Sequence, residues 1–160
     1  DWAADRLVPD CVRAADSGGS VMLRHPTAVR PWQHVLDVLH GYLMLAERLL
    51  RDPVATSGAW NFGPSPGEEP DVQTVAATVL RGLGCADRLV LASHPDGPPE
   101  QHVLRLDSFK ARHELGWSPR LDWRQSLEWT ADWYRDARQG RPAEALCAEQ
   151  IERFEALTPA

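Results

Sequence analysis

The sequence lacks the residue patterns that common cofactor and catalytic sites require. Its best-placed glycine cluster, Gly82-Leu83-Gly84, ends a predicted helix instead of opening one, so it cannot direct backbone N–H groups at a pyrophosphate. Neither tyrosine has a lysine four residues on, because Ala46 follows Tyr42 and Arg138 follows Tyr134. P-loop and H-E-x-x-H motifs are also missing. These residues alone therefore predict neither a catalytic residue, nor a cofactor-binding residue, nor a complete enzyme.

Cysteine is scarce as well. The three cysteines, Cys11, Cys85 and Cys147, are far apart and have no C-x-x-C spacing. This pattern predicts neither a disulfide framework nor a zinc site, so we assign no metal ligand and expect buried or free thiols in a reducing cytoplasm. No apolar run reaches the ~18–20 residues that a membrane span needs, and the first residues show no signal-peptide pattern. We therefore expect a cytoplasmic protein with no membrane partner.

Basic charge is in deficit, with a net charge of -6 at pH 7. A general nucleic-acid surface requires a basic excess, so we expect no nucleic-acid partner. Sixteen of the 17 basic residues are arginine, against the single Lys110. Arginine is suited to bidentate phosphate contacts, so a local pocket for a small anion stays open.

An initiator methionine is absent, and the first ten residues already have the composition of folded sequence. We expect that the chain begins inside a larger protein. Within the chain, Gly140-Arg141-Pro142 separates a core lobe, residues 1–139, from a C-terminal helical extension, residues 140–160.

Apolar periodicity predicts a mostly helical chain with short strands. The strands are too short and scattered for an ordinary sheet, so the fold class is α/β, an irregular lobe packed against another body. The segment 35–51 is the clearest helix, and its apolar face is wide enough to be well buried. The helices are predicted over residues 5–15, 35–51, 72–83, 107–115, 122–139 and 143–157, and the strands over residues 21–23, 59–62, 89–92 and 102–106.

One loop combines a guanidinium, an indole and two polar side chains. Arg30-Pro31-Trp32-Gln33-His34 lies between a predicted strand and the long helix, where loops commonly line ligand sites. A functional interpretation gives Arg30 a diphosphate contact. Taken without further information, the residues favour the alternative that Arg30 is a surface charge and Trp32 a core residue.

A second candidate segment, Glu100-Gln101-His102, enters a predicted strand after a proline-rich loop. The Glu100 carboxylate suits sugar hydroxyls and the His102 imidazole suits phosphate or ribose, but the residues alone favour the alternative of a solvated strand edge. Arg6 and Asp10 lie one helical turn apart, which also fits a local ion pair. Of the seven tryptophans, Trp2 and Trp32 are the two that we would place near a ligand.

Several motifs together resemble one enzyme family. Asp1-Trp2-Ala3 with residues 5–10 resembles a "GGDWA-DRL-PD" stretch, and residues 30–36 match "RPWQHVL". Residues 60–64 resemble "WNFGP", and residues 100–117 resemble "HEAHYLKLD-SKA…LGW". These stretches are typical of CDP-glucose 4,6-dehydratases, which are extended short-chain dehydrogenase/reductases. The resemblance spans nearly the whole chain, and "RPWQHVL" is its most specific part.

The resemblance implies the C-terminal, nucleotide-sugar-binding lobe of such an enzyme, without the Rossmann domain. In the full-length family, an N-terminal Rossmann domain holds NAD, and CDP-glucose becomes CDP-4-keto-6-deoxyglucose in a homo-oligomer. Trp2 and Trp32, proposed above for their aromatic faces, are included among the predicted substrate-binding residues, and the similarity adds six more. Arg6 and Leu7 would lie by the nucleotide, Leu23 under the base, Arg30 on the diphosphate, and Glu100 and His102 near ribose or phosphate. The resemblance thus favours a ligand role for Arg30.

Two departures from the family pattern bear on substrate preference. Where the family has "HPHEAH", this chain has Gly97-Pro98-Pro99-Glu100-Gln101-His102, and Arg24-His25-Pro26 replaces "RNP". The leading hypothesis is a dehydratase segment that is inactive alone and binds no NAD by itself. The alternatives are a non-catalytic nucleotide-sugar-binding module or remnant, and another extended-family NAD-dependent dehydratase or epimerase.

Overall fold

A computed structural model describes residues 2–3, 5–67, 69–92 and 101–157. The described chain is mostly helical, and its two short strands pair with each other. In chain order the elements are α1 (Leu7–Ser17), β1 (Val21–Leu23), α2 (Val35–Arg51), α3 (Pro53–Thr56), α4 (Val72–Gly82), a 3-10 turn (Ala86–Arg88), β2 (Leu89–Leu91), a π-helical turn (Ala111–Leu115), α5 (Trp123–Arg138) and α6 (Ala143–Glu155). This confirms the irregular, mainly helical α/β lobe.

The helix ends follow from side-chain caps. The predicted capping box at the start of α5 is present, because Asp122 accepts from the Gln125 N–H and Gln125 accepts from the Asp122 N–H. Asp71 caps α4 by accepting from the Thr74 N–H at 2.8 Å. At the other end of a helix, Gly18 follows α1 with φ of 76°, a left-handed conformation that glycine adopts without steric cost.

The strands β1 and β2 run parallel. Val21, Met22 and Leu23 pair with Leu89, Val90 and Leu91, respectively. Parallel strands need a crossover, and here α2, α3 and α4 all lie between them in the chain. The carboxyl ends of both strands therefore lie at one edge, which is where open α/β sheets commonly bind ligands.

The main core lies between α1, β1, α4 and α5. It is built from apolar residues with little or no exposed surface. Burial raises the pKa of the Cys11 thiol to about 12, so this cysteine is a packing residue, as expected. The fully enclosed members are Cys11, Val75, Ala76, Val79 and Leu80.

Two smaller clusters extend this core. Phe62, Ala111 and Trp117 form one beneath α2, and the Phe62 and Trp117 rings meet edge to face with centroids 5.0 Å apart. Phe154 of α6 packs with Leu121 and Trp129 in the other. No helix in the described part of the chain has both the length and the apolar character of a membrane span.

Three sequence predictions are wrong in part. Residues 59–62 form no strand, and this segment is instead fixed by side chains, since Trp60 Nε1 and Asn61 Nδ2 donate to the carbonyls of Thr56 and Asp107. Residues 102–106 form only one isolated bridge, Val29 with Val103, in place of a strand. The helix expected over residues 107–115 is mainly the π-helical turn, which Gly116 ends as predicted.

The largest correction concerns α2. Its apolar face was expected to be well buried, but Asp37 and Gly41 are its only fully buried residues. One side of α2 packs through Met44 and Leu45 onto the Phe62 cluster. The opposite side is exposed, and its apolar residues are Val35, Leu39, Tyr42, Leu43 and Leu50. Val35 and Leu39 line a cavity with residues of α5 and α6, and the Tyr42 ring meets the Phe62 ring edge to face at 5.6 Å. All five side chains remain largely exposed, and we call them the open face of α2.

Candidate functional site

The candidate site begins where β1 ends. Val29 pairs with two segments at once, an antiparallel bridge to Asp71 and a parallel bridge to Val103. The Val29 N–H donates to the His102 carbonyl at 2.8 Å, and the Leu104 N–H donates to the Val29 carbonyl at 3.0 Å. The loop after β1 is therefore held against residues 102–104, which are distant in sequence.

This pairing brings Arg30 and His102 together, as the resemblance implied. The Arg30 guanidinium is half-buried, and its Nη1 donates to the Val29 carbonyl at 2.7 Å and to the His102 carbonyl at 3.4 Å. His102 is an exposed residue that meets Arg30 through its backbone carbonyl. A guanidinium is the side chain best suited to paired hydrogen bonds with phosphate oxygens.

The start of α1 lies at the carboxyl end of β1. Arg24, directly after β1, donates to Asp5 at 2.8 Å, and Asp5 precedes Arg6. Arg6 is exposed at the N-terminus of α1, and Leu7 is half-buried against the main core. This edge of the small sheet thus carries an exposed arginine at the start of α1.

The remaining predicted residues differ in position. Leu23 is buried in the main core with Trp32 packed against the same cluster, so any contact of Leu23 with a base has to involve its backbone. Trp2 is exposed, and its ring meets the Tyr134 ring edge to face at 5.7 Å. Glu100 and the departures at residues 97–100 lie outside the described residues.

Two orphaned donors lie next to the site. Trp32 Nε1 and Gln33 Nε2 are buried without a hydrogen-bond partner among the described residues. Both residues line a cavity of about 280 Å³ between the start of α1 and α5, with Val8, Pro9, Leu127 and Tyr134 among its other walls. Sequence reasoning singled out Trp32 but gave no role to Gln33.

Two titratable side chains at the start of α2 have shifted pKa values. Burial lowers the pKa of His34 to about 4, so it is neutral at pH 7 and accepts from the Leu36 N–H through Nδ1 at 3.3 Å. Burial raises the pKa of Asp37 to about 6, against the opposing effect of the backbone N–H of Arg120, which donates to Oδ1 at 2.7 Å. Periodicity alone gave no sign of a buried carboxylate in this helix.

One short sequence pattern around Ser65 resembles the turn that carries a catalytic serine. Residues 63–67 read G-P-S-P-G, which matches the G-x-S-x-G spacing of a nucleophile turn. That turn needs a strand before the serine and a helix directly after it. Neither is present around Ser65 in the described residues, and the Gly63 N–H donates to Ser108 Oγ at 2.7 Å. The spacing is therefore a structural loop, and Ser65 carries no catalytic assignment.

The glycines of the Gly82-Leu83-Gly84 cluster do not form a dinucleotide-binding turn. Gly82 ends α4, where it packs against α5 so closely that an added Cβ would lie 2.5 Å from the Ala131 Cβ. Gly84 has φ of 78° directly after the helix. These glycines serve helix packing and helix termination, so no step of a reaction is assigned to NAD at this position.

Comparisons with known proteins were made in sequence and in structure. No family model matches the chain. The chain is 37% identical over 135 residues to a CDP-glucose 4,6-dehydratase of Salmonella typhimurium, which covers 84% of this chain and 37% of that protein. The chain thus spans well under half of this relative's length.

Solved structures show the same fold. A UDP-glucose-4-epimerase from Stenotrophomonas maltophila, with bound NAD and formylated UDP-arabinopyranose, superposes with a TM-score of 0.69 at 23% identity over 88% of this chain and 43% of that one. A dTDP-glucose 4,6-dehydratase from Bacillus anthracis in complex with NAD superposes with a TM-score of 0.65 at 20% identity, over 89% of this chain and 42% of that one. At these identities the similarity establishes the fold alone.

Proposed function

From its match in sequence and in fold to extended short-chain dehydrogenase/reductases that act as dehydratases and epimerases, we infer that this chain corresponds to their C-terminal part. We propose that it binds a nucleotide-sugar. The CDP-sugar CDP-glucose is the proposed ligand. In the full-length enzyme, we infer, this segment holds CDP-glucose for conversion to CDP-4-keto-6-deoxyglucose. NAD is held there by another part of the protein, and the enzyme is a cytoplasmic homo-oligomer.

The position of Arg30 carries this proposal. A half-buried guanidinium, held 3.4 Å from the carbonyl of His102, lies beyond the carboxyl end of β1. A diphosphate is the part of a nucleotide-sugar that a guanidinium recognises best, because the planar N–H groups match phosphate oxygens in pairs. Arg6, His102 and Glu100 complete the proposed set, with Leu7 and Leu23 on the nucleoside side and Trp2 and Trp32 as aromatic neighbours.

Calorimetry with CDP-glucose on the 160-residue chain tests the binding role. Arg30→Ala removes charge-assisted hydrogen bonds to the diphosphate, so we expect the Kd to rise about tenfold or more. The matched control is Arg81→Ala, an exposed arginine on α4 to which the proposal gives no ligand contact. The proposal would be contradicted if Arg30→Ala bound CDP-glucose with the same affinity as wild type, or if neither protein gave a heat of binding.

An activity assay tests whether this chain is a segment of an enzyme or a complete enzyme. Mixed with NAD and CDP-glucose, this chain alone is expected to give no 4-keto product, because it has neither a dinucleotide fingerprint nor a Tyr-x-x-x-Lys pair. The 4-keto sugar is followed by its absorbance in base. Measurable product from this chain would contradict the assignment of catalysis to another part of the protein.

A second candidate function is the binding of a sugar linked to a nucleotide other than CDP. The superposed epimerase carries a UDP-sugar, and the superposed dehydratase is named for a dTDP-sugar. Thermal-shift measurements with CDP-, UDP-, dTDP- and GDP-glucose distinguish these cases. The largest shift is expected with CDP-glucose, because the sequence match to a CDP-glucose enzyme exceeds those to the two structures. A larger shift with another nucleotide would favour another dehydratase or epimerase of the same fold.

A further inference from the structure

A buried carboxylate lies close to the proposed diphosphate contact and has no role in the assignments above. Only 6% of the Glu69 side chain is exposed, although Glu69 belongs to a polar loop. Its Oε1 lies 3.3 Å from Nε of Arg105, whose own side chain is 62% exposed. A buried ionised group needs a partner, because its desolvation costs several kcal/mol in order of magnitude. Arg105 supplies that partner.

The backbone register shows what this ion pair spans. Asp71 pairs with Val29 in antiparallel register and Val103 pairs with Val29 in parallel register, so Glu69 and Arg105 each lie two residues from a partner of Val29. The ion pair therefore links the two segments that pair with Val29, the residue before Arg30. We call Glu69 and Arg105 the clamp.

Within the part of the chain that the structure describes, the backbone pairing of these three segments consists of isolated bridges. Their hydrogen bonds run from Val29 to His102, from Leu104 to Val29, from Val72 to Ala28 and from Gln73 to Pro26. Isolated bridges open more readily than ladders, because each opening breaks only a few hydrogen bonds. The ion pair between Glu69 and Arg105 adds a side-chain link where the backbone has few.

We propose that Glu69 is a positioning residue, which acts through Arg105 to keep the segment of Arg30 against the segment of His102. The consequence for ligand binding rests on the proposed function. The consequence for the backbone does not, because it concerns the bridge at Val29 alone. The two can therefore be measured separately.

Amide hydrogen exchange, followed by NMR on the 160-residue chain, tests the clamp without a ligand. In Glu69→Gln, which keeps the side-chain shape, the Val29 and Leu104 amides are expected to exchange about tenfold faster. The Ala92 amide, which donates to the Leu23 carbonyl at 3.0 Å, is the internal reference. Unchanged exchange at Val29 and Leu104 would overturn the proposal.

Two further variants separate a clamp from general destabilisation. Arg105→Gln leaves the Glu69 carboxylate buried and unpaired, so it should open the bridge more than Glu69→Gln, while the double variant should recover toward Glu69→Gln. The control Arg51→Gln breaks the pair with Glu47, in which both side chains are largely exposed, and should change neither amide. Equal exchange in the Arg105→Gln and double variants would contradict a paired role.

Binding of CDP-glucose completes the test. If wild type binds, Glu69→Gln should weaken binding about fivefold, and it should have no further effect in an Arg30→Ala background, because the clamp acts through Arg30. Additive losses in the two variants would contradict this coupling. If wild type fails to bind while Glu69→Gln exchanges faster at Val29, the proposed function fails and the clamp stands.

Discussion

The helices α4 and α2 have similar apolar patterns and opposite surroundings. In α4 the residues Val75, Ala76, Val79 and Leu80 are each 0% exposed, enclosed by α1 and α5. On the open face of α2, the apolar side chains are 46 to 88% exposed. Apolar periodicity predicts that a helix face is buried, but it does not predict which part of the protein, or which partner, covers that face.

The first prediction tests this difference between α4 and α2 by truncating one leucine on each helix. Leu80→Ala on α4 leaves a cavity in the main core, so we expect a loss of about 2–5 kcal/mol in the free energy of unfolding. Leu50→Ala on α2, where the side chain is 88% exposed, should change that free energy by less than about 0.5 kcal/mol. Urea unfolding measures both. Similar losses would mean that α2 is covered within this chain.

The elements that sequence predicted correctly are those with local causes. α1, α4, α5 and α6 follow from apolar stripes, the capping box at Asp122 and the glycines after α1 and α4. The failures at residues 59–62 and 102–106 have non-local causes. Side-chain hydrogen bonds from Trp60 and Asn61 anchor the first segment, and a single bridge to Val29 anchors the second. The contacts of Asn61 with Asp107 and of Val103 with Val29 join residues that are distant in sequence, so no local pattern encodes them.

The candidate site was predicted unevenly for the same reason. Family motifs placed Arg30 and His102 in one site, and the structure brings them together through the His102 carbonyl. Leu23 was expected under a base but lies in the core, because strand alternation puts it on the same side as Val21. The Glu69–Arg105 pair was not foreseen, since its two members lie 36 positions apart in the sequence.

The second prediction uses pH, because α2 carries buried titratable groups. The folded-state pKa of Asp37 is raised to about 6, so its contribution to stability is lost as pH rises from about 4 to about 6. The folded-state pKa of His34 is lowered to about 4, so its contribution is lost as pH falls from about 6.5 to about 4. In wild type the two opposite dependences largely offset each other.

Asp37→Asn should reveal the histidine contribution. The variant is expected to lose on the order of 2 kcal/mol more than wild type between pH 6.5 and pH 4. His40, whose pKa is also lowered by burial and by Arg120, adds in the same direction as His34. Chemical unfolding across this pH range measures the slope. The matched control is Asp16→Asn, an exposed carboxylate that pairs with Arg138, and a slope equal to that of Asp37→Asn would contradict the assignment.

The third prediction concerns the packed side of α2. An alanine Cβ at Gly41 would collide with ring carbons of Phe62. Helix propensity alone would make Gly41→Ala stabilising by about 1 kcal/mol. We expect the collision to reverse the sign, with a loss of about 1–2 kcal/mol in urea unfolding. Gly82→Ala on α4, which meets the Ala131 Cβ, should behave alike, so a stabilising Gly41→Ala would show that the two helices are not comparably packed.

The smallest expected effect on stability is the most direct test of the open face. Leu43 is 71% exposed, so Leu43→Glu should leave the free energy of unfolding within about 0.5 kcal/mol of wild type. The same variant should reduce the fluorescence of a bound apolar dye, because it interrupts a contiguous apolar surface. Its counterpart on α4, Val75→Glu, places a charge where nothing is exposed and should unfold the chain. If Leu43→Glu unfolds the chain as well, the open face is closed in solution, and α2 is a core helix like α4.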